Sequence, residues 1–271
     1  MTAWSLASWS WQPGVLISIG AILGAYLLGL QRFRPQTLWQ EYVVSKRELV
    51  CFGSGVLLLV IALVSPLDTL SNGMFVAHMF QHMLLVYLAP PLLLLGTPAW
   101  LVEPFLTVRF VKPILRFLTR PVQATIIFNG VLILWHMPGP WDFALVDQNI
   151  HALEHVMFFV GGIISWWPVF SPTPEVPALP YPLQMAYMFV QSLVPAIIGA
   201  FLTFSGLVIY PVYLETTKLW GLSPLADQQL AGLEMKLLGT VVLWILASIR
   251  FFQWYRQEEQ QDEKLIDDAT H

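Results

Sequence analysis

A chain of 271 residues that is 56% hydrophobic and only 11% charged holds more apolar side chain than a water-soluble domain of that size can bury. Its net charge of −4 is small, and no basic patch argues for a nucleic-acid partner, so the expected solvent and first partner is the lipid bilayer. Its single cysteine, Cys51, excludes an internal disulfide and a paired-thiolate metal site.

The predicted fold class is all-α, a polytopic bundle of about seven transmembrane helices. In chain order the apolar runs lie at roughly 14–31, 49–65, 74–95, 121–137, 151–169, 183–207 and 231–254, each compared with a hydrocarbon core of about 30 Å. Ahead of the first run, Met1–Pro13 holds three tryptophans and no Lys or Arg, so it lacks the charged leader of a cleaved signal peptide. That run is expected to be retained as a span. Positive charge sits in the first loop (Arg32, Arg34, Lys46, Arg47), in the third (Arg109, Lys112, Arg116, Arg120) and after the last run (Arg256, Lys264). The N-terminus and the second, fourth and fifth loops carry none, and the sixth holds only Lys218. By the positive-inside rule the N-terminus is outside and the C-terminus inside. Residues 1–255 form one helical-bundle domain, and 256–271 a polar cytoplasmic tail.

Punctuation inside this frame is dominated by proline. Ser171–Pro182, "SPTPEVPALPYP", reads as a stiff inner connection. Pro90–Pro91 are expected to disturb the third helix and Pro195 the sixth. Ser223–Pro224 reads as an N-cap followed by proline at the first helical position. Gly20, Gly24, Gly53 and Gly55 are small enough to permit close helix packing.

Five histidines fall at the outer side in this topology: His78 and His82 where the third helix enters, His136 where the fourth exits, and His151 and His155 where the fifth re-enters. Two pairs, in "HMFQH" and "HALEH", have the i,i+4 spacing that puts both imidazoles on one helix face, about 6 Å apart along the axis. Such pairs converge on a metal ion in helical zinc sites. An isolated histidine at a helix end, as His136 is, more often serves as a hydrogen-bonded or interfacial residue. Ionisable groups inside a membrane tend to be functional because burying them is costly.

Methionines share the region, and Met74 and Met235 are candidate accessory groups. Imidazole with thioether is a soft-to-borderline set that suits copper, above all Cu(I). Asp68, Asp142, Glu154, Asp227 and Glu234 lie in outer loops or turns, where they could orient imidazoles. Lys236, close to the membrane, needs an anionic partner, with Glu154 or Asp227 the candidates. Three rival readings stay open. One is haem held by one histidine from each of two helices. Another is a zinc-dependent membrane peptidase, because "HALEH" matches H-x-x-E-H with Glu234 as third ligand. The last is a metal-free seven-helix receptor or transporter.

Four stretches carry a family resemblance: "HMFQHMLLVYLAPPLLLLGTP" (His78–Pro98), "HALEHVMFFVGGIISWWPV" (His151–Val169), "LTFSG" (Leu202–Gly206) and "GLSPLADQQLAGLEMK" (Gly221–Lys236). Across roughly residues 15–255 the chain resembles the CtaG-type cytochrome c oxidase assembly family of bacterial membranes. The resemblance implies an assembly factor for haem-copper oxidases rather than an enzyme. It implies a multi-pass protein of the bacterial plasma membrane that handles copper on the outer, periplasmic side. The implied metal residues are His78, His82, His151 and His155, with His136, and the "DQQLAG" turn would add Asp227 and Gln228. Oxidase subunits or a copper chaperone are the implied partners.

Overall fold

A computed structural model describes residues 8–33, 36, 37, 40, 41, 44–214 and 221–270. Of the residues singled out above, Met1, Arg34, Lys218 and His271 lie outside that description. Helices dominate it, in agreement with the all-α expectation. The exception is a two-residue ladder in which Gln36–Thr37 pairs antiparallel with Gln40–Glu41.

Most helices begin where the sequence supplies a reason. Proline stands in the first turn of α1 (Pro13–Arg32), α3 (Pro66–Ser71), α8 (Pro121–Trp135) and α9 (Pro138–Val146), where its missing N–H costs no hydrogen bond. α2 (Lys46–Leu63) opens with a capping box: the Glu48 amide donates to Ser45 Oγ at 3.1 Å and the Ser45 amide to Glu48 Oε2 at 2.8 Å. α12 (Pro224–Thr270) starts as the sequence implies, with the Ala226 amide donating to Ser223 Oγ. It then runs unbroken for 47 residues, about 70 Å at 1.5 Å per residue, and its polar end continues the same helix.

The third apolar run folds as α4 (Phe75–Met83), a π-helical turn at Leu84–Leu88, and α5 (Ala89–Leu95). Pro90 has no N–H to offer the carbonyl of Val86 four residues back, and the helix widens there instead of breaking. The freed Val86 carbonyl accepts from the Trp166 indole N–H at 2.7 Å, which satisfies it inside the bundle. Trp166 belongs to α10 (Gln148–Phe170). α10 presses close at this level, because a Cβ on Gly162 would stand 2.9 Å from the Pro90 ring.

Five segments are long and apolar enough to cross a membrane: α1, Phe75–Leu95, α10, α11 (Tyr181–Phe204) and Pro224–Leu265 of α12. A sixth arises if α7 (Val111–Leu118) and α8, bent by 73°, count as one span. Among the described residues the count of full-length spans is therefore five or six, against the seven runs of the sequence. α2 opens with Lys46, Arg47 and Glu48, leaving 15 of its 18 residues, or about 22 Å of helix against a core of roughly 30 Å. α8 has only 15 residues of its own. Apolar side chains such as Leu28, Ile126, Phe201 and Trp244 stand exposed on the outer surface, as a multi-pass membrane protein requires.

α11 and α12 touch through glycine, since a Cβ on either Gly199 or Gly232 would lie 2.7 Å from the other's carbonyl oxygen. Of the four glycines small enough to permit close helix packing, Gly55 meets a neighbour within the chain, and Gly20, Gly24 and Gly53 face open space. The chain reverses at two ends. At one lie the starts of α1, α4, α10 and α12 together with α3, α9 and the 3-10 turn Pro211–Leu214. At the other lie α6 (Ala99–Leu106), α7, the Ser171–Pro180 connection and the C-terminal part of α12.

Candidate metal centre

The histidines are placed by two helix starts. The amides of Phe75 and Val76, at the beginning of α4, donate to the Asp227 carboxylate at 2.7 and 3.0 Å. A carboxylate from the first turn of α12 thus caps α4 across 152 positions of sequence and meets the positive end of its dipole. α10 is capped by its own Asp147, whose Oδ1 accepts from the Asn149 and Ile150 amides. One turn further along each helix the i,i+4 spacing turns both imidazoles to one side.

The two pairs meet. Ring centroids are 4.3 Å apart for His78–His82 and for His151–His155 within the helices. Between helices they are 5.3 Å apart for His78–His151, 5.5 Å for His82–His155 and 6.3 Å for His78–His155. The closest donor group crosses the helices: ligand-capable atoms of His78, His151 and Glu154 all lie within 4.8 Å of one another. Glu154 is fully buried, and neither of its oxygens accepts a hydrogen bond. Its nearest imidazole contacts are His82 Nε2 at 3.7 Å and His78 Nε2 at 3.9 Å. Nε2 of His78, His82, His136, His151 and His155 is likewise buried without a hydrogen-bond partner. Buried polar atoms in proteins are normally paired, so such a concentration is informative.

His136 follows α8 and joins through aromatic rings. Its Nδ1 lies 2.7 Å from the Leu132 carbonyl, which can only accept, so Nδ1 carries the proton and the Nε2 lone pair is free. Its ring neighbours are Trp141 at 5.5 Å and Phe158 at 6.3 Å. Trp141, buried in α9, also lies 4.8 Å from His78 and stacks on Tyr210 at 4.6 Å. Phe75 packs against both of them. The Tyr210 hydroxyl donates to the His136 carbonyl at 2.8 Å. Burial, with the carboxylates of Asp142 and Glu154 nearby, holds the Tyr210 phenol well above its ordinary range and keeps it a donor.

This aromatic cover escaped the sequence reading. The local signal is limited to Trp141 in "PGPWD" and the two tyrosines of "YPVY". Behind the histidines a second polar layer forms, in which the Gln81 amide donates to the Ala62 carbonyl at 2.8 Å and to Asp68 Oδ1 at 2.9 Å. A cavity of about 450 Å³ between α1, α2 and α10 is lined by Asp68, His151 and His155 among largely apolar residues.

Several expected accessory residues have other work. Asp227 caps α4, and Gln228 pins the preceding loop by accepting from the Ile209 amide and donating to the Leu207 carbonyl. Met74 is the buried residue before α4, and Met235 packs in the apolar core with Phe75, Met79 and Met83. Asp142 is half-buried in α9, where burial raises its carboxyl above the usual range. Glu234 is half-buried with one oxygen unpartnered, and it is outside the His78–His151–Glu154 group. Lys236 pairs with neither Glu154 nor Asp227 among the described residues; its ammonium lies 5.6 Å from the centre of the Phe204 ring.

Uncharacterized proteins of Mycobacterium bovis and Mycobacterium tuberculosis are each 25% identical over 277 residues, which is 96% of this chain and 40% of theirs. One of Mycobacterium leprae is 24% identical over a similar stretch, also 40% of its length. The chain therefore spans about two fifths of these curated relatives. No solved structure matches it. The model of the cytochrome c oxidase caa3 assembly factor family matches residues 24–257, nearly the whole chain, and the protein belongs to that family.

Proposed function

We propose that the protein carries copper for a haem-copper oxidase, holding the ion in transit among His78, His82, His136, His151 and His155 with Glu154 as an anionic ligand. The observation that carries this reading is the set of buried Nε2 atoms and carboxylate oxygens without hydrogen-bond partners, converging from α4 and α10. A cation there would receive lone pairs that otherwise have no partner. Imidazoles outnumber the four positions of a common closed site, which allows the ion to exchange ligands on its way out. The cavity that reaches His151, His155 and Asp68 supplies a route.

Orientation belongs to the same reading. Among the described residues, the connecting segments at the histidine end contain no Lys or Arg, whereas Arg109, Lys112, Arg116, Arg120 and Arg256 lie toward the other end. By the positive-inside rule the site faces the outer side of a bacterial plasma membrane, with the N-terminus outside and up to seven crossings. The receiving partner is an oxidase subunit and the supplying one a copper chaperone; no catalytic step is required of this chain. Copper is favoured over haem because the ring centroids of His78, His82, His151 and His155 stand 4.3 to 6.3 Å apart in their contacting pairs, too close for a porphyrin to lie between two of these imidazoles. The zinc-peptidase reading takes Glu234 as a third ligand, and Glu234 is outside the group formed by His78, His151 and Glu154.

The test is elemental analysis and a visible spectrum of the detergent-purified protein, on wild type and on H78A/H82A. Near-stoichiometric copper without a Soret band, lost in the double variant while helicity and elution are unchanged, is the expected result. Equal copper in both proteins would overturn the assignment.

A further inference from the structure

The end of the bundle opposite the histidines holds an unassigned cleft. α7 has no buried residue and lies at 73° to α8, so it turns away from the direction of the span that follows it. The segment from Arg109 to Arg120, α7 with its flanking turns, carries two stripes that meet at Phe117 on the cleft wall. Phe110, Ile114 and Phe117, at i, i+4 and i+7, are each more than half exposed. Arg109, Lys112, Arg116 and Arg120, at i, i+3, i+7 and i+11, line one cleft of about 450 Å³ together with Thr107 and Pro113. This is the pattern of a helix lying in a membrane interface, with apolar residues toward the acyl chains and cations at the level of the headgroups.

The charge is not neutralised from within. The acid that faces these cations is Glu175, in the connection between α10 and α11. Its carboxylate pairs with Lys112, and its backbone carbonyl accepts from Arg116 Nη2 at 3.0 Å. Arg109 and Arg120 are exposed and pair with no carboxylate among the described residues. Four cations thus face one carboxylate, in a concavity rimmed by large apolar side chains.

We propose that this cleft binds the phosphodiester headgroup of an anionic phospholipid, with Arg109, Arg116 and Arg120 on the phosphate and Phe110, Ile114 and Phe117 against the acyl chains. A soluble phosphate would satisfy the arginines but leave the apolar stripe exposed to water, and it is the stripe that selects the lipid. The site is independent of the metal reading, and its tests do not involve copper.

The experiment uses the full chain in a mild non-ionic detergent and counts retained phospholipid by native mass spectrometry. Phosphatidylglycerol is compared with phosphatidylcholine, with inorganic phosphate as competitor. Wild type is expected to retain phosphatidylglycerol in preference to phosphatidylcholine and to keep it against millimolar phosphate. Each cation removed should weaken retention roughly fivefold, from about 1 kcal/mol per basic residue near an anionic surface, so R109Q/R116Q/R120Q should lose on the order of a hundredfold. The single variants R109Q and R120Q, at exposed positions, answer the question if the triple variant does not fold. Equal retention of the two lipids, or retention unchanged in the arginine variants, would overturn the proposal. Displacement by inorganic phosphate would also overturn it, because the cleft would then be a site for soluble phosphate.

Discussion

The two ends of this bundle treat polar groups in opposite ways. At the histidine end, the Nε2 atoms of five histidines and both Glu154 oxygens are buried without hydrogen bonds, behind Trp141, Phe75 and Tyr210. At the other end arginines and lysines stand in the open, where water or a headgroup can solvate them. Leaving a buried polar group unsatisfied costs about 1–3 kcal/mol each, so a fold tolerates several together only when something else completes them. Fold stability alone gives no reason to collect them at one level, whereas a cation passing through does.

Removing donors should break the contrast most completely. H78A/H82A takes away two of the four paired imidazoles and is expected to abolish copper retention, as measured by elemental analysis. H151A/H155A should do the same from α10, because the closest donor group draws on both helices. If either double variant kept its copper, the ion would have to be elsewhere. Opening the cover should be the next largest effect. Trp141 is 1% exposed and touches His78, Tyr210 and Phe75, so W141A should destabilise the protein by about 3–5 kcal/mol, the usual range for a buried Trp truncated to Ala. Thermal unfolding in detergent reads this; a loss under about 1 kcal/mol would mean that the ring is not load-carrying in the packing.

How much of this was visible in the residues follows from the range of each interaction. The histidine pairing is local, fixed by 3.6 residues per turn, and so are the Ser223 cap and the disturbance at Pro90. The meeting of His78, His151 and Glu154 depends on how α4 and α10 pack, and nothing in "HALEH" says that its glutamate turns toward a histidine 76 positions earlier. Asp227 is a candidate accessory as an outer carboxylate and through the family resemblance of the "DQQLAG" turn, and only the packing of α12 on α4 reveals that it caps α4. Glycine contacts have the same long range: spacing along the chain does not reveal that Gly199 and Gly232 lie where two helices cross, or that Gly20 and Gly24 meet no neighbour within the chain. Hydropathy likewise registers an apolar run without the charges that shorten α2 or the bend between α7 and α8, so it gives seven runs where five or six helical segments among the described residues have full spanning length.

Two substitutions separate what the bundle needs from what the site needs. E154Q keeps the shape of a buried side chain whose oxygens have no hydrogen bond, so the metal-free protein should hold its stability within about 1 kcal/mol while copper retention falls by about tenfold or more, because an amide cannot supply the anionic oxygen. A variant that lost stability and kept its copper would make Glu154 a packing residue. Trp166 supplies the opposite case, a polar contact made for the fold alone. W166F leaves the Val86 carbonyl without its donor beside Pro90 and should cost about 1–3 kcal/mol with copper retention unchanged. If retention fell with W166F, the π turn and the site would be coupled.

The smallest effect belongs to the exposed end, and its pH dependence has a definite sign. The hydrogen bond and positive charge of Lys112, with Arg116 adding to them, hold the Glu175 carboxyl below its ordinary value of 4.5. A depressed carboxyl stabilises the folded chain above its unfolded pKa, and that contribution disappears as pH falls through the folded one. The side chains of Lys112 and Glu175 are 36% and 47% exposed, so water and salt screen the pair, and surface ion pairs contribute little. K112A should therefore lower the thermal midpoint slightly at neutral pH and low salt. The difference from wild type should close below about pH 3, where the carboxylate is protonated, and also at about 1 M salt, where the screening length is near 3 Å. A difference that survived both conditions would place the contribution in the packing of the lysine stem, and the basic end would then share the buried character of the histidine end.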